Sequence, residues 1–245
     1  MIKAKTNITT GIVLKVTPFK ESSAIITLGY ENGLLSLTVN SIYKNNNPNK
    51  ALLIVGNIID VEYKSVGDVN IVSSISLVLD VSSFLLDYSC SCFLLYLQEI
   101  SLSLFSYGDQ YPINEVKYLL SFLKQNKNVL AVSLKLIGVF YQTLGINLEV
   151  HKCVNCSNNV VNTYSITLGG YLCDDCASKS FISKKDKMDL YVLKYCFLKI
   201  DDDSLNKEVP INSGIRVFNE LNQYLVSYFD LKEFKTQSMF TLSIN

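Results

Sequence analysis

His151-Lys152-Cys153-Val154-Asn155-Cys156 and Gly170-Tyr171-Leu172-Cys173-Asp174-Asp175-Cys176 carry two cysteine pairs separated by sixteen residues. A two-residue gap lets both sulfurs of a pair face one centre, and two such pairs at ribbon-like separation supply a complete tetrahedral set. With all four positions filled by protein, no vacancy remains for water or substrate, so the expected ion is a structural Zn2+ held by Cys153, Cys156, Cys173 and Cys176. Redox pairs and disulfides are the competing readings. A thioredoxin-like motif needs only one pair, at a strand-to-helix junction. His151 abuts the first pair and could substitute as a ligand, but four thiols already suffice. Cys90, Cys92 and Cys196 lie in apolar periodic segments and read as buried small hydrophobes.

Ahead of the cysteines, residues 9–79 alternate with a period of two. Five β-rich runs emerge, at 10–16, 23–30, 34–39, 58–63 and 70–77. Asn32-Gly33 supplies the positive φ of a tight hairpin between the second and third, and Val66-Gly67-Asp68 turns the fourth into the fifth. The polar, prolyl stretch Lys44-Asn45-Asn46-Asn47-Pro48-Asn49-Lys50 makes the one long connection. Five strands in so short a span fit a small closed barrel of the OB type, although an SH3-like barrel has nearly the same pattern.

After Asp80 the period lengthens to that of a helix. Phe84 to Leu102, Val116 to Leu123 and Leu130 to Leu144 read as three helices, the last capped by Gly145. Val160 to Leu168 reads as a β-hairpin between the cysteine pairs. Ser183 is expected to cap a helix to Leu198, Asp201-Asp202-Asp203 to form a solvated loop, and Ser213 to open a final helix towards Asp230. The fold class is therefore α+β: an OB-like barrel over 1–80, helical segments over 81–150 and 181–245, and a metal-binding insertion over 151–180.

Composition narrows the function. The 245 residues balance 22 basic against 22 acidic side chains, and Arg216 is the only arginine. Charge alone does not suggest nucleic acid. Met1-Ile2-Lys3-Ala4-Lys5-Thr6 runs into strand-like sequence without an apolar block, so no signal peptide is expected and the thiols are expected to be reduced in a cytoplasmic setting. Tyr88 to Gly108 has Glu99 as its only charge, but five serines and Gln98 interrupt it. It reads as a buried helix rather than a membrane span. No Ser-His-Asp set, His-Glu metal motif or Gly-rich phosphate loop is present, so neither an enzyme nor a small-molecule substrate is expected.

Several stretches, in this order and spacing, resemble the RecO family of bacterial recombination mediators. They are Gly11-Ile12-Val13-Leu14-Lys15 with Glu21-Ser22, Tyr30-Glu31-Asn32-Gly33-Leu34-Leu35-Ser36-Leu37, Val61-Glu62-Tyr63-Lys64 leading to Gly67-Asp68-Val69-Asn70-Ile71, Leu134-Lys135-Leu136, Leu144-Gly145-Ile146 and Phe234-Lys235-Thr236-Gln237-Ser238-Met239. The resemblance implies a nucleoid-associated, non-enzymatic DNA-repair protein that binds single- and double-stranded DNA through its barrel. Its partners would be RecR and the tail of the single-stranded DNA-binding protein, and it would anneal strands and help load the recombinase. Lys15, Lys20, Lys44, Lys50 and Lys64 are then the candidate phosphate contacts, with Phe19, Tyr43 and Tyr63 as stacking faces. Where the family has a basic Gly- and Arg-containing stretch, Asn40-Ser41-Ile42-Tyr43-Lys44-Asn45-Asn46-Asn47 holds one cation. Residues 1–79 contain seven lysines and five acids, a net charge of plus two. Weak, salt-sensitive binding is expected. A zinc-stabilised interaction scaffold with little DNA affinity is the alternative.

Overall fold

The computed structural model describes residues 6–44 and 47–244. The start at Met1–Lys5, and Asn45 and Asn46 of the polar connection, lie outside the described residues. The chain forms two compact units, one ending at Gln125 and the other beginning at Asn126.

The first unit is built on a closed mixed barrel of β1 (Thr6–Phe19), β2 (Ser23–Tyr30), β3 (Gly33–Val39), β4 (Ile58–Val66) and β5 (Val69–Leu79), in the order β1-β2-β3-β5-β4. β3 meets β5 in parallel and all other pairs are antiparallel. That order is OB-like. Alternate residues fill the interior: Ala24, Ile26 and Leu28 from β2, Leu35, Leu37 and Val39 from β3, and Ile59 and Val61 from β4.

β1 serves two neighbours because it bends. Its register with β2 shifts between Val13 and Lys15, so Leu14 is an extra residue without a partner. Val13 and Leu14 are both buried at this bulge, and Val13 belongs to the interior cluster of the barrel. The Leu14 carbonyl released from the ladder accepts 2.7 Å from Gln98 Nε2 on α1 (Tyr88–Leu104).

The segment joining α1 to α2 (Ile113–Asn126) clamps the β2–β3 hairpin. Leu34 N–H donates to the Ser106 carbonyl at 3.0 Å, and Gly108 N–H to Asn32 at 2.9 Å. Gly33 has φ +93°, and a Cβ there would lie 2.0 Å from the Ser106 oxygen. Only glycine permits both the turn and this approach.

In the second unit α3 (Val129–Thr143) is the centre, buried from Val129 to Tyr141, with α5 (Lys187–Phe197) and α7 (Ile211–Tyr228) packed on it. Between α3 and α5 lie strands β6 (Thr163–Ser165) and β7 (Gly170–Leu172) and the short helix α4 (Asp174–Lys179); α6 (Asp202–Leu205) precedes α7 and α8 (Lys235–Ile244) follows it. Gly138 lets α3 approach α5, since a Cβ there would sit 2.0 Å from the Cys196 carbonyl oxygen. Arg216 on α7 is committed internally, with Nε 3.1 Å and an Nη 2.7 Å from the buried carboxylate of Asp189 on α5.

Five local expectations change. The helix expected from Phe84 starts at Tyr88, because Asp87 caps it by accepting from Cys90 N–H, and Phe84 lies in a separate 3-10 turn. The hairpin pairs Thr163 with Leu172 rather than lying within 160–168, because Gly169 and Gly170 supply its positive-φ turn. Asp186, not Ser183, caps α5 through its side chain, accepting from Met188 N–H. Asp201–Asp203 is not a loop, since Asp201 and Ser204 form a capping box that starts α6. The last long helix opens after Pro210 rather than at Ser213. Among the described residues no helix is long and apolar enough to cross a membrane.

Candidate metal centre and barrel face

The ligand atoms of Cys153, Cys156, Cys173 and Cys176 all lie within 4.8 Å of one another. Cys156 Sγ and Cys173 Sγ are 3.6 Å apart. A tetrahedron with Zn–S arms of about 2.3 Å has edges of about 3.8 Å. The quartet thus has the dimensions of one thiolate site that could hold a metal ion.

Local backbone builds each half. In the first turn Cys153 N–H donates to the Asn158 carbonyl and Ser157 N–H to the Cys153 carbonyl, both at 2.8 Å. Glu149 Oε1 accepts from His151 N–H at 2.8 Å and Lys152 N–H at 3.3 Å, which fixes the approach to that turn. The His151 ring is exposed and stands outside the quartet. In the second half β7 delivers Cys173 to the N-cap position of α4, and Cys176 lies in the first turn of that helix. Leu172 and Ala177 back the centre, with Val161 and Ile182 against them. Gly170 joins the two halves: at φ +137° its Cβ would lie 2.2 Å from the Glu149 oxygen, while Tyr171 N–H donates to the Glu149 carbonyl and Glu149 N–H to the Gly169 carbonyl, both at 2.8 Å.

The electrostatics describe thiols competing for protons. Burial disfavours the Cys153 thiolate, but backbone N–H groups of Cys173, Cys156 and Asn155 outweigh it and bring the thiol down to about 6. Cys176 is pushed up to about 12 by the adjoining Cys173 and Cys156 thiols. Cys156 is raised too: the Asn158 N–H favours its thiolate, while the Cys153 and Cys173 thiols oppose it. Four thiolates this close require a cation to coexist, and an arriving ion would displace the remaining protons.

The five candidate lysines are all exposed, and the register relates them. Thr17 pairs with Ile25, Ile25 with Thr38, Thr38 with Ile71, and Ile71 with Lys64. Lys64 therefore shares that row, four strand pairings along from Thr17, and it also pairs with Thr6 at the end of β1 opposite Lys20. Tyr43 N–H donates 2.9 Å to the Ser22 carbonyl, which brings the β3–β4 connection, with Lys44 and Lys50, to the β1–β2 turn. Lys20 Nζ stands 5.1 Å from the Phe19 ring centroid and Lys50 Nζ 5.7 Å from that of Tyr43. Lys15 pairs with Thr27 two positions before Thr17.

Phe19 is part-exposed, whereas Tyr43 and Tyr63 are half-buried and pack against the barrel interior. Glu62 and Asp68 lie exposed on the same β4–β5 hairpin as Lys64, which explains the small charge excess. The cation–ring pairs escaped sequence reasoning, although the adjacency of Phe19 and Lys20 was a visible signal. No protein-family model matches the chain, and no match to a curated protein was found.

Proposed function

We propose that the protein is a DNA-binding recombination mediator of RecO type that anneals complementary strands, with a structural Zn2+ on its four cysteines. The observation that carries this reading is the gathering of Lys20, Lys44 and Lys50, with Phe19 and Tyr43, around the β1–β2 turn, while Lys64 stands on the β4–β5 hairpin. In OB folds the β2–β3 face and the loops after β1 and β4 are the usual oligonucleotide surface. Cations beside rings suit a strand held by backbone charge and base stacking rather than by sequence.

The quartet fits the ion on its donor set, since four soft thiolates at tetrahedral dimensions favour zinc. The ion's contribution would be a fixed crosslink between the two turns. RecR and the tail of the single-stranded DNA-binding protein are the partners this reading proposes. Electrophoretic retention of single-stranded and duplex DNA at two salt concentrations tests it. Retention at low salt and release at high salt are expected, and no retention at low salt would replace the reading with the interaction-scaffold alternative.

A further inference from the structure

α4 ends in a way that its sequence does not favour. Ile182 N–H donates 2.9 Å to the Ala177 carbonyl and Phe181 N–H donates 3.2 Å to Ser178, the paired bonds of a Schellman cap. Phe181 occupies the left-handed position of that cap, with φ +56°. Glycine is the usual occupant, and a bulky aromatic there is an outlier. The ring recovers nothing by packing, because Phe181 is 96% exposed. The left-handed backbone opposes the folded state, and a ring left in water contributes no burial to offset it.

The ring stands over a groove of about 590 Å3 between the β6–β7 hairpin and α7. That is the size of a small-ligand site. Tyr224 and Tyr228 form one wall, stacked on each other with centroids 5.5 Å apart and planes 26° from parallel, and Tyr228 is 59% exposed. Tyr164 also lines the groove, and its buried hydroxyl has no hydrogen bond of ordinary geometry. Gln223, Ser183 and Thr167 add neutral polar groups.

Charge selects the occupant. Among the described lining residues the groove has one cation and one anion, and Lys185 Nζ is already paired with Glu220 at 2.6 Å. With that pair closed, the groove offers a carboxylate or a phosphate no partner, so charged groups of an occupant stay outside it. A neutral planar group with polar edges meets rings for its faces and neutral donors and acceptors for its rim. We infer that this groove holds an unpaired base of single-stranded DNA, stacked between Phe181 and the Tyr224–Tyr228 wall, which rests on the DNA-binding reading above. It gives the second unit its own hold on a strand, separate from the barrel, and annealing requires holding more than one segment. Because Phe181 follows directly on the helix that begins at Cys173, the thiolate quartet positions this ring.

The test is photocrosslinking of full-length protein to a single-stranded oligonucleotide substituted with 5-iodouracil, with crosslinked peptides mapped by mass spectrometry. Crosslinks at Phe181 or Tyr228 are expected in addition to those in the barrel. Phe181→Gly should lower single-strand affinity about tenfold, as loss of one stacked base does. The same substitution should raise thermal stability, since glycine relieves the cap, and no purely structural role moves the two readouts in opposite directions. Tyr228→Ser should lower affinity comparably and leave the fold intact.

Crosslinks confined to the barrel, with Phe181→Gly binding as the parent does, would overturn the proposal while leaving the DNA-binding reading standing. Failure to retain DNA at low salt would remove both. An acidic peptide ending in phenylalanine that binds the parent but not Phe181→Gly, with single-strand binding unaffected, would make the groove a peptide site and also overturn it.

Discussion

Lys135 is the most unusual single residue, a lysine with no exposed surface in the middle of α3. Its Nζ donates to the Leu198 carbonyl at 3.0 Å and lies 4.4 Å from the Tyr195 ring centroid, so it terminates α5 from the side. Burial lowers its pKa to about 8, against about 10.4 in an unfolded chain. Between those values the unfolded state binds more protons, so this residue's contribution makes stability rise with pH from about 8 to about 10.4. Below pH 8 both states are charged and its destabilising effect is present in full. Cys196, pushed up to about 12 by burial, and Tyr195, also raised by burial, oppose it at the alkaline end. The measurable quantity is therefore the difference in urea stability between the parent and Lys135→Met. The parent should gain on the variant as pH rises through this window, and a difference independent of pH would contradict the assignment. A steric prediction belongs to Gly138: alanine there would overlap the Cys196 carbonyl and should cost about 3 kcal/mol or more, read as a lowered denaturant midpoint.

At the scale of elements, the metal turns and the helices around them depend on one another. Cys173 is both a thiolate of the quartet and the N-cap of α4, and serine is a good N-cap but a poor zinc ligand. Cys173→Ser therefore separates the two roles. Metal content should fall from one ion per chain to none while α4 keeps its cap, and hydrogen exchange should rise over residues 150–182 and leave the barrel strands unchanged. A chelator applied to the parent should reproduce that pattern. Exchange rising equally in β1–β5 would show that the barrel also depends on the metal.

Much of this organisation was legible in the sequence. Strict alternation marked 23–30 and 34–39 as strands almost to the residue, and Asn32-Gly33 placed their turn. The paired cysteines named the quartet outright. The illegible parts depend on distance along the chain. Gly169-Gly170 turns the metal hairpin because Glu149 needs the space a side chain would take, and no local window contains both. Leu14 is a bulge because α1 brings Gln98 to its carbonyl from 84 residues away. Asp186 beats Ser183 as a cap, and Asp201 starts a helix inside an acidic run, where several capping residues stand close together and packing chooses among them. The Lys64 row was hidden because the barrel closes through the single parallel pairing of β3 with β5.

For the whole molecule, the decisive quantity is how little charge is available to hold DNA. The single arginine is bound to Asp189, and the barrel segment has a net charge of only plus two. If all five candidate lysines touch phosphates of a single strand, log K should fall against log salt with a slope of about −3.5, from about 0.7 released counterions per contact. Neutralising Lys15, Lys44 and Lys64 together should remove about three fifths of that slope, and scrambled oligonucleotides should bind alike because phosphates carry no sequence. An unchanged slope would place the phosphate contacts on another surface. Annealing asks for more, since two polyanions must approach within about one Debye length, roughly 10 Å at 0.1 M salt. Its rate should therefore collapse at lower salt than does binding of one strand. With so few cations, a protein that already coats the strand is proposed to share the hold through its acidic, apolar-tipped tail. Strands precoated with the single-stranded DNA-binding protein should anneal faster with that tail than without it, and the difference should survive salt that abolishes annealing of bare strands. Equal rates with and without the tail would remove that partner from the mechanism and leave the barrel and the aromatic groove as the only proposed holds on the strand.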